Sequence, residues 1–235
     1  MNDLGQGAAP ASPGRSWYLA GVPATLDAGA VLRLMADDLR GSRPVSRRLR
    51  QILDALDRAK ARYAIVGAVA MGAHGVRRFT EDIDVLVDGT ALVRVLAETR
   101  RAFREVGREP REGVPYQIRL RSRRAESADA VDVDVMVPVD AAEEWALLTA
   151  VRVRVAGRRA DIASVEGLIV LKLRAFLSDP ESRAGVKHRA DAMTLAQTTS
   201  FDVAALRRFL RASPALRDEF DRVLAAPPPR GRVPR

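Results

Sequence analysis

The sequence contains no cysteine among its 235 residues, which excludes disulfide bonds and thiolate metal sites. No apolar run approaches the roughly 20 residues that a membrane-spanning helix requires, so we expect no membrane partner. The first residues, MNDLGQGAAPASPGRSW, lack an apolar signal core after a basic start. These absences favour a cytoplasmic protein over a secreted one.

Lysine is also scarce, because 36 of the 39 basic residues are arginine. The formal net charge of +9 permits an RNA partner, since clustered cations gain affinity by releasing phosphate counterions. In a chain so rich in alanine and valine, however, the excess of arginine is also explained by coding bias. A lysine retained in such a chain, such as Lys172, is a candidate for a role that needs a compact ammonium group.

The pattern of apolar residues and turns predicts a mixed α/β (α+β) fold, with a small mixed β-sheet core flanked by helices. We expect an N-terminal extension over 1–45, partly disordered, and a core domain over 46–160. A helical region over 161–226 and a disordered tail over 227–235 complete the predicted organisation.

Within this outline, alternation and turn residues predict strands over 63–67, 83–87, 114–122 and 130–137, with a hairpin over 151–163. Helices are predicted to begin after the N-cap residues Ser46, Thr90 and Ser164. The helix after Thr90 is predicted to run to residue 106, and three further helices are expected after the one that Ser164 caps.

Two aspartates, Asp82 and Asp84, lie one residue apart at the start of an apolar strand and therefore share one face. Asp132 and Asp134 repeat this spacing on a second strand. Carboxylates packed so closely repel one another and lose hydration, so the cluster is costly unless a cation binds between them. Oxygen ligands with no histidine or cysteine nearby suit Mg²⁺ or Mn²⁺ better than zinc.

A turn at Gly67 and Ala68 precedes the aspartate pair at a strand-to-helix junction. Glycine at such a junction lets backbone N–H groups approach a phosphate, helped by the positive end of the following helix. A phosphate-binding turn, a carboxylate pair and a third carboxylate on a later strand are what metal-assisted nucleotide transfer requires, with pyrophosphate as the leaving group.

The stretch VGAVAMGAHGVRRFTEDIDVLV resembles the signature of the polymerase-β-like nucleotidyltransferase superfamily. Its pattern AHG..R.T.DID is similar to that of bacterial minimal nucleotidyltransferases, especially the AbiEii-type toxins of toxin–antitoxin and phage-defence systems. The later stretch VDVMVP resembles the third-carboxylate strand of that family, and SVEGLIVLKLRAF with KHRADAMTL resembles the helical pair that follows. The resemblance covers about residues 48–197.

This resemblance implies an enzyme that uses Mg²⁺ or Mn²⁺ to move a nucleoside monophosphate from an NTP to an acceptor hydroxyl. It implies that Asp82, Asp84 and Asp134 are the catalytic and metal-binding residues, with Asp134 favoured over Asp132 and helping to deprotonate the acceptor. Ala68 departs from the second glycine or serine of the family. The nucleotide-binding residues that the turn and the resemblance indicate are Gly67, Ala68, Arg78, Thr80 and Lys172.

Several of these residues have a structural alternative. Arg78 is equally explained as a counter-ion of the carboxylates, and Thr80 as a residue that fixes the loop before the strand. For His74 a role at the helix end is favoured over that of a catalytic base. A structural polar network is favoured for a group of residues in the later helices: His188, Arg189 and Asp191.

The partners that the resemblance implies are a nucleoside triphosphate, an RNA acceptor with tRNA as the leading candidate, and an antitoxin protein. One alternative is a small-molecule nucleotidyltransferase of the antibiotic-modifying type, which needs an acidic pocket for a cationic substrate. Another is a non-catalytic module with the same fold, which Ala68 favours and the intact carboxylates oppose.

Overall fold

The computed structural model of the protein describes residues 43–76, 80, 82–111, 114–123, 132–155 and 157–227. Arg78 lies outside these residues, as do nearly all of the predicted N-terminal extension and tail. The described helices are α1 Arg43–Arg58, α2 Gly67–Ala73, α3 Leu92–Thr99, α4 Ala141–Leu148, α5 Val165–Ser178, α6 Arg183–Thr198, α7 Val203–Leu210 and α8 Pro214–Ala225. The described strands are β1 Tyr63–Ile65, β2 Asp82–Val87, β3 Phe103–Arg111, β4 Val114–Ser122, β5 Asp132–Met136, β6 Val151–Val155 and β7 Arg158–Ile162.

The strands form one mixed sheet of seven in the order β3-β4-β5-β2-β1-β7-β6. The pairs β2–β5 and β1–β7 are parallel, and the remaining neighbours are antiparallel. This arrangement confirms the predicted mixed α/β fold with a small mixed sheet. The sheet also includes the predicted hairpin, as β6 and β7.

The two faces of β2 differ in character, because side chains alternate along a strand. Ile83, Val85 and Val87 on one face are completely buried. Burying such side chains contributes roughly 1.5–3 kcal/mol each, so this face anchors the strand in the core. Asp82 and Asp84 lie on the other face. The core therefore fixes the direction in which the aspartates point.

The helices pack on the sheet and on one another. α1 contacts α3 and β2, whereas α2 contacts β2 and α5. α5 also contacts α4, α6, α7 and α8, so it joins the sheet-associated helices to the C-terminal ones. In the parts of the chain that the structure describes, no helix is long and apolar enough to cross a membrane.

Three local predictions differ from the structure. The first helix begins at Arg43, so Ser46 lies inside it and is not its N-cap. Asp88, rather than Thr90, caps the turn before α3, and its carboxylate accepts a hydrogen bond from the Thr90 N–H. The predicted helix to residue 106 is wrong beyond Thr99, because Phe103 starts β3 and is buried against the core. Helix α4 and strand β3 were not predicted.

Other local predictions are confirmed. Ser164 caps α5, with its hydroxyl accepting a hydrogen bond from the Gly167 N–H at 3.1 Å. The three later helices are present as α6, α7 and α8. Strand β7 runs to Ile162, two residues past the predicted end of the core domain at 160, and the domain boundaries themselves remain a prediction.

Candidate active site

Four aspartates share one face of the sheet at the centre of the candidate site. The parallel register of β2 and β5 pairs Asp82 with Asp132 and Asp84 with Asp134. Asp134 is buried, with 4% of its surface exposed, whereas Asp82 at the start of β2 is exposed. The structure thus brings the three predicted catalytic aspartates onto two adjacent strands, with Asp132 beside them.

Gly67 contacts the carboxylate of Asp84. Gly67 has a positive φ of 65°, a conformation that L side chains rarely adopt, and a Cβ added here would overlap the Asp84 Oδ2 atom. The Val66 N–H donates to the Asp84 backbone oxygen at 2.9 Å, which holds the turn against β2. Glycine is therefore needed at position 67 for both conformation and space.

Ala68 is the second residue of α2 and is buried. The N-cap residue of this seven-residue helix, Val66, makes no side-chain capping bond. The start of α2 thus lies beside the Asp84 carboxylate. Its N-cap residue, Val66, has no hydroxyl or carboxylate that could accept hydrogen bonds from the first backbone N–H groups. The positive end of a helix favours a nearby anion, which Asp84 supplies.

Thr80 positions Asp82. Its hydroxyl donates to the Asp82 Oδ1 atom at 2.5 Å and lies 3.0 Å from the Asp82 backbone oxygen. This contact matches the loop-fixing alternative for Thr80, and its role as a nucleotide ligand remains a prediction.

Asp134 is held by two side chains of the neighbouring strand β4. Arg119 donates from Nε to Oδ1 at 2.9 Å and from Nη2 to Oδ2 at 3.0 Å. Gln117 donates from Nε2 to Oδ2 at 2.9 Å. The hydrogen bonds with Asp134, together with its charge, raise the pKa of the Arg119 guanidinium above its ordinary value. Both carboxylate oxygens of Asp134 therefore have partners within the protein.

The outer pair on the same two strands repeats this arrangement. Arg121 donates from Nε to Asp132 Oδ1 at 2.8 Å and from Nη2 to Oδ2 at 2.6 Å. The antiparallel register of β4 and β5 sets Arg119 opposite Asp134 and Arg121 opposite Asp132. Two arginine–aspartate pairs thus lie side by side on the candidate active face.

Sequence reasoning missed Gln117, Arg119 and Arg121. The signal was present in QIRLR, whose polar residues alternate with the buried Ile118 and Leu120. Opposite the alternating VDVDV of the predicted partner strand, this pattern indicates charge pairs across the ladder. Assigning the register of the predicted strand pair would have identified the two arginines as contacts of the aspartates.

Lys172 is buried on α5, and its Nζ lies 3.1 Å from Asp191 Oδ2 on α6. On the same helix α6, Arg189 donates to Glu219 on α8 at 2.5 Å and lies over the ring of Phe176 at 5.7 Å. These contacts connect the C-terminal helices. They agree with a structural network around Asp191 and Arg189, and the predicted phosphate contact of Lys172 remains a prediction.

His74 lies directly after α2 and donates from Nε2 to the Ala163 carbonyl oxygen at 2.8 Å. Burial lowers its pKa, and the hydrogen bond to Ala163 opposes this effect only in part. A neutral imidazole that joins the end of α2 to the segment before α5 matches the helix-end role.

The three aspartates have the ligand chemistry that a divalent cation requires, but their side chains are not arranged to hold one. Asp82, Asp84 and Asp134 supply hard oxygen ligands on one face, as Mg²⁺ prefers. Among the described residues, however, no group of three or more acidic or histidine side chains is arranged to hold a metal ion. Both Asp134 oxygens accept hydrogen bonds from Arg119 or Gln117, so a cation at Asp134 would share these oxygens with the positively charged Arg119 or displace it.

Comparison with known proteins identifies related families and folds. A family profile described as "Nucleotidyl transferase AbiEii toxin, Type IV TA system" matches residues 51–232. No curated protein sequence matches the chain.

One solved structure shows the same fold at low sequence identity, and two others are similar to the chain at lower TM-scores. A solution structure of the antibiotic-resistance factor ANT(2'')-Ia is 19% identical, with a TM-score of 0.50, and the match covers 77% of this chain and 94% of that one. An antigenic nucleotidyltransferase-like protein from Paracoccidioides brasiliensis is 18% identical, with a TM-score of 0.48, over 77% and 92% of the two chains. A putative nucleotidyltransferase from Thermotoga maritima is 17% identical, with a TM-score of 0.44, over 62% and 92%.

Proposed function

We propose, from the premise that this chain belongs to the AbiEii family of nucleotidyltransferase toxins, that it transfers a nucleoside monophosphate from an NTP to a hydroxyl at an RNA end. The leading acceptor is tRNA, and the proposed cofactor is Mg²⁺ or Mn²⁺. The observation that carries the proposal is the parallel register of Asp84 with Asp134 beside the turn at Gly67. The toxin family implies an antitoxin partner, which we include in the proposal.

The aspartates have distinct proposed roles. Asp82 and Asp84 would hold the cation, and Asp134 would join them and help to deprotonate the acceptor hydroxyl. When bound, a divalent cation would neutralise phosphate charge and lower the pKa of the acceptor hydroxyl, whose oxygen bonds to the α-phosphorus as the bond to the leaving pyrophosphate breaks. Thr80 supports these roles by fixing the carboxylate of Asp82.

The proposed triphosphate site lies at the start of α2. Gly67 and Ala68 offer backbone N–H groups there, and the absence of a side chain at Gly67 keeps the turn close to Asp84. Lys172 and Arg78 are proposed as the cationic contacts of the phosphates. Lys172 would then exchange or share its contact with Asp191.

Arginine side chains lie beside Asp134, where the acceptor would bind. A hollow of about 230 Å³ adjoins the site, and Arg119 and Gln117 belong both to its lining and to the contacts of Asp134. The lining holds two arginines and one carboxylate: Val106, Gly107, Arg108, Glu109, Gln117 and Arg119. A cationic antibiotic requires an acidic pocket, whereas phosphates of an RNA end suit arginine donors. Both arginines also pair with carboxylates, Arg108 with Glu105 and Arg119 with Asp134, so the hollow binds a phosphate only when Arg119 leaves Asp134, and the RNA acceptor is proposed on that condition.

The test uses radiolabelled NTPs, Mg²⁺ and either total RNA or an aminoglycoside, with purified wild-type protein and the Asp84→Asn variant. We expect label on RNA with the wild type and a loss of at least about a hundredfold with Asp84→Asn. Asp161→Asn is the control, because it makes the same side-chain change on a strand of the same sheet but outside the candidate site, where Asp161 pairs with Arg152 on the β6–β7 hairpin.

Each result has a defined meaning. Label on the aminoglycoside but not on RNA contradicts the proposed acceptor and supports the antibiotic-type alternative. Equal transfer by the wild type and Asp84→Asn removes the proposed role of Asp84. If Asp161→Asn loses activity to the same extent, the loss in Asp84→Asn reflects folding and not the site.

A further inference from the structure

The two arginine–aspartate pairs on β4 and β5 differ in their relation to the candidate cation site. Asp134 is one of the three proposed cation ligands and lies in register with Asp84, which contacts the turn at Gly67, whereas Asp132, in register with Asp82 at the exposed start of the strand, is not a proposed ligand. Both oxygens of Asp134 accept hydrogen bonds from Arg119, in the bidentate geometry that gives the strongest arginine–carboxylate contacts. A cation that approaches Asp134 therefore meets a guanidinium charge already in place, which opposes its binding.

We infer that Arg119 is a competing counter-ion that closes Asp134 until a divalent cation displaces it, and that Arg119 thus sets the cation affinity of the site. This inference rests on the proposed function, since it takes Asp134 as a cation ligand. It adds Arg119 as a positioning residue that acts through Asp134.

Burial explains why Asp134 needs such a counter-ion. Its carboxylate is almost completely buried, with 5% of the side chain exposed, and an unpaired buried charge is strongly disfavoured. The strand β4 supplies the compensating charge from the facing position, and Gln117 supplies a further hydrogen bond. The cation and the guanidinium are alternative ways to neutralise the same carboxylate.

The exposure of Arg119 permits the exchange. Its side chain is 47% exposed, although its partner is buried, so the guanidinium can leave Asp134 without losing a packed environment. It also borders the hollow that Gly107 and Glu109 line. Once displaced, Arg119 lies next to the hollow proposed for the acceptor, where its guanidinium can bind a phosphate.

The test measures Mn²⁺ binding by electron paramagnetic resonance, without nucleotide, in Arg119→Lys and Arg121→Lys. Both variants keep the net charge, so a long-range electrostatic effect is the same in each. Lysine cannot form the bidentate pair, so Arg119→Lys weakens the competition at Asp134. We expect Arg119→Lys to bind Mn²⁺ about three- to tenfold more tightly than the wild type, from the strength of bonds to charged groups, and Arg121→Lys to stay within about twofold.

The inference is overturned if the two variants change Mn²⁺ affinity equally, if Arg119→Lys binds more weakly, or if neither variant nor the wild type binds Mn²⁺. Arg119→Gln is the second variant, and a still tighter affinity is expected because the competing charge is removed. Thermal melting checks that each variant is folded. Transfer activity is a separate readout: activity that depends on Asp84 with unchanged Mn²⁺ affinity in Arg119→Lys rejects this inference and leaves the proposed function standing.

Discussion

Gly67 shows how one residue without a side chain positions a charged one. A side chain at this position is disfavoured both by the positive φ and by the overlap that its Cβ would make with the Asp84 carboxylate. We expect Gly67→Ala to lower the free energy of unfolding by about 1–3 kcal/mol, through backbone strain and displacement of Asp84. Urea denaturation measures the loss, and transfer activity should fall further than stability alone explains.

Gly75 provides the matched control for this prediction. It also has a positive φ, of 87°, but a Cβ added there meets no atom within 4 Å. Gly75→Ala thus reports backbone strain alone, and we expect it to keep wild-type activity with a loss of about 1 kcal/mol. Similar losses of stability and activity in both alanine variants would show that contact with Asp84 is unimportant.

At the scale of elements, the close approach of α6 to the end of α5 determines how the two helices meet. A Cβ added at Gly185 would overlap the backbone carbonyl oxygen of Asp179, which cannot move as a side chain can. We expect Gly185→Ala to destabilise the protein by about 1–3 kcal/mol and to disturb the Lys172–Asp191 ion pair. Thermal and urea unfolding measure the effect.

The control is the neighbouring substitution Ala184→Leu, at an exposed position in the same turn of α6. It adds a larger side chain without an obstructing neighbour, so its effect should remain within about 0.5 kcal/mol. A loss as large as that of Gly185→Ala would indicate that the first turn of α6 tolerates no change, and would reject the specific role of the Asp179 contact.

Elements with a local sequence signal were predicted, whereas those that depend on tertiary contacts were not. The alternation in β4 and β5 and the N-cap Ser164 were sufficient to predict those elements, because each carries its own local signal. The segment from Phe103 to residue 106 was predicted as part of a helix, because its polar residues fit the period of a helix as well as that of a strand. The burial of Phe103 and the pairing with β4 show that it is a strand. The Arg119–Asp134 pair depends on register between strands, which composition and motif do not contain.

In the molecule as a whole, several arginines form ion pairs within the fold, so the excess of arginine does not by itself indicate a ligand. Arg58 pairs with Glu98 across 40 residues, Arg174 with Glu143, and Arg189 and Arg222 both with the buried Glu219. Exposed pairs contribute little each, roughly 0–1 kcal/mol, but a buried carboxylate such as Glu219 needs its partners. Net charge alone is thus a weak argument for RNA, and the proposal of an RNA acceptor rests on the toxin family and on the Arg119 guanidinium beside Asp134.

His74 links two distant parts of the chain, and this link makes global stability depend on pH. Its pKa in the folded protein lies below the ordinary value of 6.5, chiefly because of burial. The unfolded chain therefore takes up a proton first on acidification, so the stability contributed above pH 6.5 is lost as pH falls toward the folded pKa. The slope cannot exceed about 1.4 kcal/mol per pH unit for one proton.

Urea denaturation between pH 5 and 8 tests this link in wild-type protein, His74→Gln and His188→Gln. Glutamine keeps a donor for the Ala163 carbonyl but does not titrate, so His74→Gln should show a flatter dependence between pH 6.5 and 5. His188→Gln removes the other histidine of the chain, and His74→Gln should flatten the slope to the same extent when it is made in the His188→Gln background. Carboxylates titrate mainly below pH 5, so they contribute little to the slope between pH 6.5 and 5. If His74→Gln leaves this slope unchanged, protonation of His74 is not the cause of the loss of stability at acidic pH.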